Sequence, residues 1–96
     1  MATRACVPTT HASRYLQQLC KHWAHKFAVT FDSDEGSVAF PGGTVLWMAA
    51  EDDVLLVCVM AADAQAAVTM QGVVAQHLDR FAFREAPLAF DWSVPG

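Results

Sequence analysis

Residues 44–61 have the sequence TVLWMAAEDDVLLVCVMA, and this stretch decides the fold. The run Val54–Met60 is apolar on both faces, which predicts a central strand of a sheet. The short acidic connection EDD joins this run to the apolar segment before it. Connections of this length and polarity favour antiparallel hairpins, so we expect the two segments to pair.

Two more strand candidates precede this hairpin in the chain. The segments AVTF at residues 28–31 and SVAF at residues 37–40 alternate in polarity, and the turns DSDEG and PGG follow them. Such alternation is typical of strands near a sheet edge with one wet face. The stretch Ala5–Val7 predicts a further short strand that ends at Pro8, because proline cannot extend a hydrogen-bonded ladder.

A first amphipathic helix is predicted from His11 to about Lys26. Thr9 or Thr10 can cap it by accepting a hydrogen bond from a free backbone N–H. Apolar residues recur there at a period of 3.6 and form one stripe flanked by Cys20: Ala12, Leu16, Leu19, Trp23 and Phe27.

A second helix is predicted from about Ala64 to Phe81, with Asp63 as its cap. Its buried stripe consists of Ala67, Met70, Val74, Leu78 and Phe81. Gly72 costs helix stability, so it predicts close contact with the first helix or with a partner chain. Pro87 ends the segment, and LAFDW at residues 88–92 is expected to form a final strand or an extended arm.

These elements predict an α+β fold in one domain over residues 1–96. The expected architecture is an antiparallel four- to five-stranded sheet with two helices packed on one face, in the order β-α-β-β-β-β-α plus a C-terminal extension. That order resembles the TATA-binding-protein-like arrangement, and the analogy carries no function with it.

Composition excludes several classes of protein. Hydrophobic residues make up 54% of the chain and charged residues 17%, which excludes a disordered or coiled-coil chain. No apolar run approaches the roughly 18 residues of a membrane span, and we see no secretion signal, so no membrane partner is expected. The three cysteines are widely spaced and odd in number, which favours a reduced, cytoplasmic protein.

Charge is divided unevenly along the chain. Residues 1–27 carry four basic residues and no acid, whereas residues 28–96 carry two arginines and all ten acids. This division can bias the docking of a partner, or it can follow simply from acidic turns and a basic helix. The acidic chain as a whole, with no basic-aromatic interleaving on its strands, disfavours nucleic acid as a partner.

The polar face of the first helix is the first candidate site. His11, Arg14, Gln18, Lys21, His22 and His25 fall on one side of a helical wheel. His22 and His25 are three residues apart and could both reach a metal ion, whereas His11 is too far along the helix to join them. Alternatively, the dipole of the helix accounts for the cations in its last turns without any ligand, and we expect no cofactor.

The start of this helix lacks the acids that a positive helix end favours, and His11 and Arg14 stand there instead. This pattern suits a phosphate, a carboxylate or another anion. Alternatively, Arg14 points to solvent or pairs with an acid such as Glu85 or Asp91. If the helices are antiparallel neighbours, His77, Arg84 and Glu85 could meet His11 and Arg14 in one polar cluster. A histidine at the position of His77 is otherwise most simply a satisfied core residue.

Two functional hypotheses follow. The first is a small non-catalytic protein that binds an anion at this polar cluster. The second is an interaction module that docks its basic helix on an acidic protein or on another copy, existing as a monomer or a weak homodimer. A small enzyme is a weaker hypothesis, because Cys20 lies at the edge of the apolar stripe and the carboxylates cluster in turns.

Three segments together resemble a bacterial family of small uncharacterised proteins, the domain of unknown function 2218. They are HASRYLQQLCKHWAHKF at residues 11–27, HLDRFAFRE at residues 77–85 and FDW at residues 90–92. The resemblance implies an α+β domain of about this size with no established activity, and an association with siderophore-interacting reductases that hints at iron uptake. The family's polar signature falls on His11, Arg14, Gln18, Lys21, His22, His77, Arg80, Arg84 and Glu85, and the resemblance assigns none of them a role.

Overall fold

The computed structural model describes residues 1–94 and shows a five-stranded antiparallel sheet with two helices on one face. The strands are β1 (Ala2–Pro8), β2 (Ala28–Phe31), β3 (Glu35–Ala39), β4 (Val45–Ala50) and β5 (Val54–Met60), and the helices are α1 (Ala12–Trp23) and α2 (Ala64–Phe81). A single 3₁₀ turn at Pro41–Gly43 joins β3 to β4.

The spatial order of the strands is β1-β5-β4-β3-β2. β5 therefore lies between β1 and β4 and is hydrogen-bonded on both sides, which explains its apolar character on both faces. β4 is the middle strand of the five. The predicted α+β class and the order β-α-β-β-β-β-α are confirmed.

One layer of apolar side chains joins the sheet to the helices. Alternate residues of β5, namely Leu55, Val57 and Val59, are at most 1% exposed and face the helices, as do Leu46 and Met48 of β4. The helices add their buried stripes: Leu16, Leu19 and Trp23 from α1, and Ala67, Val74 and Leu78 from α2. Burying a leucine or valine side chain contributes about 1.5–3 kcal/mol, so this layer supplies most of the favourable free energy of folding.

α1 lies close against the sheet over Gly36 of β3. A Cβ at this position would lie 2.7 Å from Sγ of Cys20 and 3.2 Å from a methyl carbon of Leu16. Gly72 behaves differently, because it is exposed and a Cβ there would meet no atom within 4 Å. The predicted close contact between Gly72 and the first helix is therefore wrong, and the close approach occurs at Gly36 instead.

α1 is shorter than the predicted range His11 to Lys26. It begins at Ala12 and ends at Trp23, and the next three residues form a turn in which Phe27 donates its N–H to the Trp23 carbonyl at 2.9 Å. The rings of Trp23 and Phe27 both pack against Phe40, at centroid distances of 5.1 and 4.8 Å. This aromatic contact ties the end of α1 to the sheet, so the chain leaves the helix and enters β2.

The predicted threonine cap also differs in detail. His11 is the N-cap of α1, and its side chain makes no capping hydrogen bond. Oγ1 of Thr9 accepts a hydrogen bond of 3.1 Å from the N–H of His11, one position before the helix. At α2 the prediction is confirmed, since Oδ1 of Asp63 accepts a hydrogen bond of 2.8 Å from the N–H of Ala66.

Two strands are longer at their N-terminal ends than the sequence pattern indicated. β1 pairs with β5 along its whole length, from Ala2 opposite Met60 to Pro8 opposite Val54, and Pro8 ends it as predicted. β3 begins at Glu35 rather than Ser37, and Phe40 lies outside it. Strand bounds follow the length of the paired neighbour, which a local pattern does not contain.

After a turn at residues 82–85, the chain continues as an extended arm over residues 88–93. Leu88 is 8% exposed and donates its N–H to Asp79 at 2.9 Å, and the rings of Phe90 and Trp92 stack at 5.8 Å. Ser93 and Arg4 exchange two backbone hydrogen bonds of 2.8 Å, which places the arm against the outer edge of β1. Among the described residues, neither helix combines the length and the apolar character that crossing a membrane requires.

Candidate functional site

A cleft of about 400 Å³ opens where the start of α1 meets the segment after α2. The two helices run in opposite directions at this point, so residues distant in the sequence converge. The lining residues are His11, Arg14, Tyr15, Gln18, Phe81, Phe83, Arg84 and Glu85. The structure thus brings together five of the six residues that the sequence proposed for a ligand site.

Glu85 lines this cleft and is itself exposed. Its two carboxylate oxygens accept hydrogen bonds from Oγ1 of Thr9 at 3.1 and 3.0 Å, and one of them also accepts a hydrogen bond from the Tyr15 hydroxyl. Thr9 and Tyr15 are both 5% exposed. The first turn of α1 contains no acid, and Glu85 supplies one from the segment that follows the neighbouring helix α2. The expected partner of Arg14 therefore bonds two buried hydroxyl groups instead.

Tyr15 is held in its protonated form. Burial raises the pKa of the Tyr15 phenol above its usual value, and the hydrogen bond and negative charge of Glu85 raise it further. A phenol with a raised pKa is a hydrogen-bond donor at neutral pH and a poor base or nucleophile. The contact between Tyr15 and Glu85 therefore positions the carboxylate and the walls of the cleft.

The other polar groups of the cleft are open to solvent as well. His11, Arg14, Gln18 and Arg84 are all exposed. Two guanidinium groups against one carboxylate leave a formal charge of +1 when His11 is neutral. Because the hydrogen bonds of Thr9 and Tyr15 already engage Glu85, the donors of the two arginines are available to a ligand.

Phe83 forms an apolar rim beside these charges. Its side chain is 71% exposed, and the Arg84 guanidinium lies 5.7 Å from the centre of its ring. Phe81 lines the same cleft and is half-buried. An exposed aromatic ring next to a guanidinium offers a ligand both an apolar surface and a charge.

His77 is the sixth proposed residue, and it lies outside the cleft. Its ring packs against His22 at 5.5 Å and against Trp23 at 4.9 Å, and its Nδ1 is 2.7 Å from the Val73 carbonyl oxygen. This distance makes Nδ1–H the donor and leaves Nε2 as the free nitrogen. The expectation that His77 joins His11 and Arg14 is corrected, because His77 lies two turns before Glu85 and meets the last turn of α1 instead of its first.

The histidine pair proposed for a metal is also arranged differently. His22 lies next to His77 and Phe81, whereas His25 lies past the end of α1. His22 is exposed overall, and the partial desolvation of its ring against His77 and Phe81 lowers its pKa, which the neighbouring charges lower further. Within residues 1–94, no group of three or more His, Cys, Asp and Glu side chains is placed to hold a metal ion.

Sequence reasoning missed Tyr15, Phe81 and Phe83 as parts of the site. Tyr15 follows His11 by four residues, which on a helix places both on one side, and their rings lie 6.0 Å apart edge to face. That spacing was the available signal. The hydrogen bond between Tyr15 and Glu85 spans 70 residues of sequence and left no local pattern.

The fold and the cleft define a class of protein: a small α+β domain with a polar cleft between the first turn of one helix and the residues after the other. The chain belongs to the family of the domain of unknown function 2218 (DUF2218), described as an uncharacterized protein conserved in bacteria, whose sequence model matches residues 4–93. The resemblance drawn from the two helix motifs is confirmed.

A solved structure shares this fold. The chain is similar to PA4090 from Pseudomonas aeruginosa, determined by NMR, with 34% sequence identity and a TM-score of 0.81. The similarity covers 96% of this chain and 94% of PA4090. A comparison with curated proteins gave no match.

Proposed function

We propose that this protein binds a small organic anion in the cleft between α1 and α2. The observation that carries the proposal is a difference in bonding among the charged groups of the cleft. Glu85 is engaged by Thr9 and Tyr15, while the guanidinium groups of Arg14 and Arg84 face solvent. Guanidinium groups bind carboxylates and phosphates in bidentate geometry, so an anion is the ligand that this arrangement suits best.

The apolar walls narrow the chemical class of the ligand. Phe81 and Phe83 line the cleft next to the arginines, and its volume of about 400 Å³ lies within the range of small-molecule sites. An inorganic anion would use only the charges. A ligand with a carboxylate or phosphate and a flat apolar part would use both the arginines and the aromatic rings.

Two features support binding rather than catalysis at this place. Tyr15 is kept protonated by burial and by Glu85, so it is a poor general base at neutral pH. The thiol of Cys20 is fully buried, and burial raises its pKa to about 11, which makes it an inert core residue. The side chains that remain in the cleft are suited to holding charge.

The biological setting is proposed on two grounds. The three cysteines are free thiols, with Cys6 exposed, which supports a reducing, cytoplasmic location. The resemblance to the family implies an association with iron uptake, and citrate and its metal chelates are organic anions of the class that the cleft suits. We therefore include a metal citrate among the compounds to be tested.

The test is an NMR titration of the ¹⁵N-labelled protein with phosphate, citrate, gallium citrate as a diamagnetic substitute for the ferric chelate, and benzoate. We expect the amide signals of residues 11–14 and 83–85 to shift with at least one organic anion, and to shift more than with phosphate. Arg14→Gln combined with Arg84→Gln should abolish these shifts, because the neutral side chains remove both guanidinium groups.

Arg80→Gln is the matched control. Arg80 is an exposed arginine of α2 that lies outside the cleft, beside His22 and His77, so its loss should leave the titration unchanged. The proposal fails if no organic anion shifts the cleft signals at millimolar concentration. It also fails if the shifts persist in the double variant.

A further inference from the structure

We propose that a second copy of this chain covers the helix-free side of the sheet and forms a twofold symmetric dimer. We call this side the open face. It consists of the residues of the inner strands that point away from the helices: Val45, Trp47, Ala49, Leu56, Cys58 and Met60. The inference concerns the side of the sheet opposite the α1–α2 cleft and does not depend on the ligand proposed above.

The open face is apolar although no described helix packs on it. Leu56 and Cys58 of β5 and Trp47 of β4 are half-buried between their neighbours on the sheet and the nearby C-terminal arm, and Met60 is 42% exposed. A sheet with one solvated face normally alternates apolar and polar residues, and β4 and β5 do not. This departure indicates that another surface covers the face.

Strand pairing places a tryptophan at the centre of this surface. In the register of the sheet, Arg4, Cys58, Trp47, Ser37 and Thr30 form one row across the five strands, with Trp47 on the middle strand. A groove of about 490 Å³ lies on the same face, lined by Trp47, Leu56, Cys58 and the C-terminal arm. A central tryptophan beside a recess is the usual composition of an interface hot spot.

Charge at the two edges of the face fits a second copy. Arg4 lies at the β1 edge, and Asp32, Asp34 and Glu35 lie at the turn between β2 and β3, near the opposite edge. A twofold axis along β4 would lay Trp47 on its counterpart. It would also place Arg4 of each copy over the β2 edge of the other, at Thr30, two residues before the acidic turn begins at Asp32. Asp91 shares the groove with Arg4, so the β1 edge is mixed in charge, whereas the opposite turn is purely acidic. These acids also disfavour a nucleic acid as the occupant.

The edges of the sheet favour stacking over edge-to-edge pairing. The arm occupies the outer edge of β1 through the hydrogen bonds between Ser93 and Arg4. β2, the other edge, is only four residues long. Face-to-face packing is therefore the route by which two sheets can associate over a large area.

The size of the face sets the expected strength. Five strands about 4.8 Å apart and roughly six residues of about 3.4 Å each make a face of about 20 by 20 Å. Two such faces bury about 400 Å² each, or roughly 800 Å² in total, which is less than a stable interface buries, so we expect a weak, transient dimer with a dissociation constant of about 100 μM or more.

Sedimentation equilibrium from micromolar to millimolar concentration tests the proposal. The wild-type protein should pass from the mass of one chain to that of two. Trp47→Ser should raise the dissociation constant by about 30-fold, as for loss of a hot-spot residue. Phe83→Ser is the matched control, since it removes an exposed aromatic ring on the helix side and should leave association unchanged. Circular dichroism establishes that both variants fold.

A charge exchange provides a second, independent measurement. Arg4→Glu and Glu35→Arg should each weaken the dimer by roughly threefold, and the double variant should recover the affinity. A protein that is a monomer at all concentrations overturns the proposal. So does a dimer that Trp47→Ser leaves intact, or one that Lys21→Glu with Lys26→Glu disrupts, because that result assigns the contact to the basic end of α1.

Discussion

At the scale of single residues, Glu85 decides the character of the candidate site. The sequence presents a helix start with a histidine and an arginine and without an acid, which taken alone is an electrostatic anomaly. The fold resolves it by bringing a carboxylate from the segment after α2 onto two buried hydroxyl groups. The guanidinium groups of Arg14 and Arg84 at the rim are then available to a ligand, and this availability is the basis for the proposed anion site.

The contact between Glu85 and Tyr15 is open to a direct test. Glu85→Gln removes the negative charge beside the phenol, so the pKa of Tyr15 should fall. The chain contains one tyrosine, so ultraviolet absorbance during an alkaline titration reports on Tyr15 alone. Glu35→Gln, at an exposed position of the β2–β3 turn region, is the control. An unchanged titration in Glu85→Gln would show that the two side chains do not interact.

At the scale of elements, the packing of α1 on β3 depends on one glycine. Gly36 has no side chain, and this absence lets the buried thiol of Cys20 and the methyl groups of Leu16 rest on the strand. The strand exists because of its pairing with β2 and β4, in spite of the low strand propensity of glycine. The close contact between α1 and β3 therefore requires a glycine at position 36.

Two glycine substitutions should have opposite effects on stability. Gly36→Ala introduces a Cβ against Sγ of Cys20 and should lower the free energy of unfolding by about 1–3 kcal/mol, as overpacking does. Gly72→Ala meets no atom within 4 Å on an exposed helix position and should raise it by about 1 kcal/mol. Urea denaturation followed by circular dichroism measures both. Combining Gly36→Ala with Cys20→Ala should recover part of the loss, because the thiol that is in the way is then absent.

At the scale of the whole molecule, the sheet separates two surfaces with different chemistry. The helix side carries the polar cleft at the start of α1 and the contact between His22 and His77 at its end. The open face is apolar, with charges at its edges. The uneven charge along the chain becomes a spatial feature, since the acidic β2–β3 turn and Arg4 lie near opposite edges of the sheet. Each proposed activity therefore has its own surface and can be tested separately.

The contact between His22 and His77 makes the free energy of unfolding depend on pH. The pKa of His22 is lower in the folded chain than in the unfolded chain, so between these two values the unfolded chain binds more protons. The contribution of neutral His22 to stability is fully present above its unfolded pKa near 6.5, and it is lost as pH falls through its lower pKa in the folded chain. His22→Gln should flatten the dependence of the urea midpoint on pH below 6.5, whereas His25→Gln, beyond the end of α1, should leave more of it in place. Equal slopes in wild type and His22→Gln would contradict this account.

The sequence by itself determined the class of the fold and most of its elements. The apolar run Val54–Met60, the periodicity of α1 and α2 and the cap at Asp63 are local signals, because each depends on residues within one or two turns. They were sufficient for the five strands, the two helices and their order. The polar residues at the start of α1 and after α2 were also identified, since antiparallel helices place those ends together.

Tertiary structure alone decided which side chains meet. The hydrogen bonds of Glu85 to Thr9 and Tyr15, the packing of His22 on His77 and the close approach at Gly36 all join residues that are distant in the sequence. Such contacts depend on helix length, on strand register and on the angle at which α1 crosses the sheet. A shift of one residue in any of these would pair different side chains, and no local pattern encodes that choice.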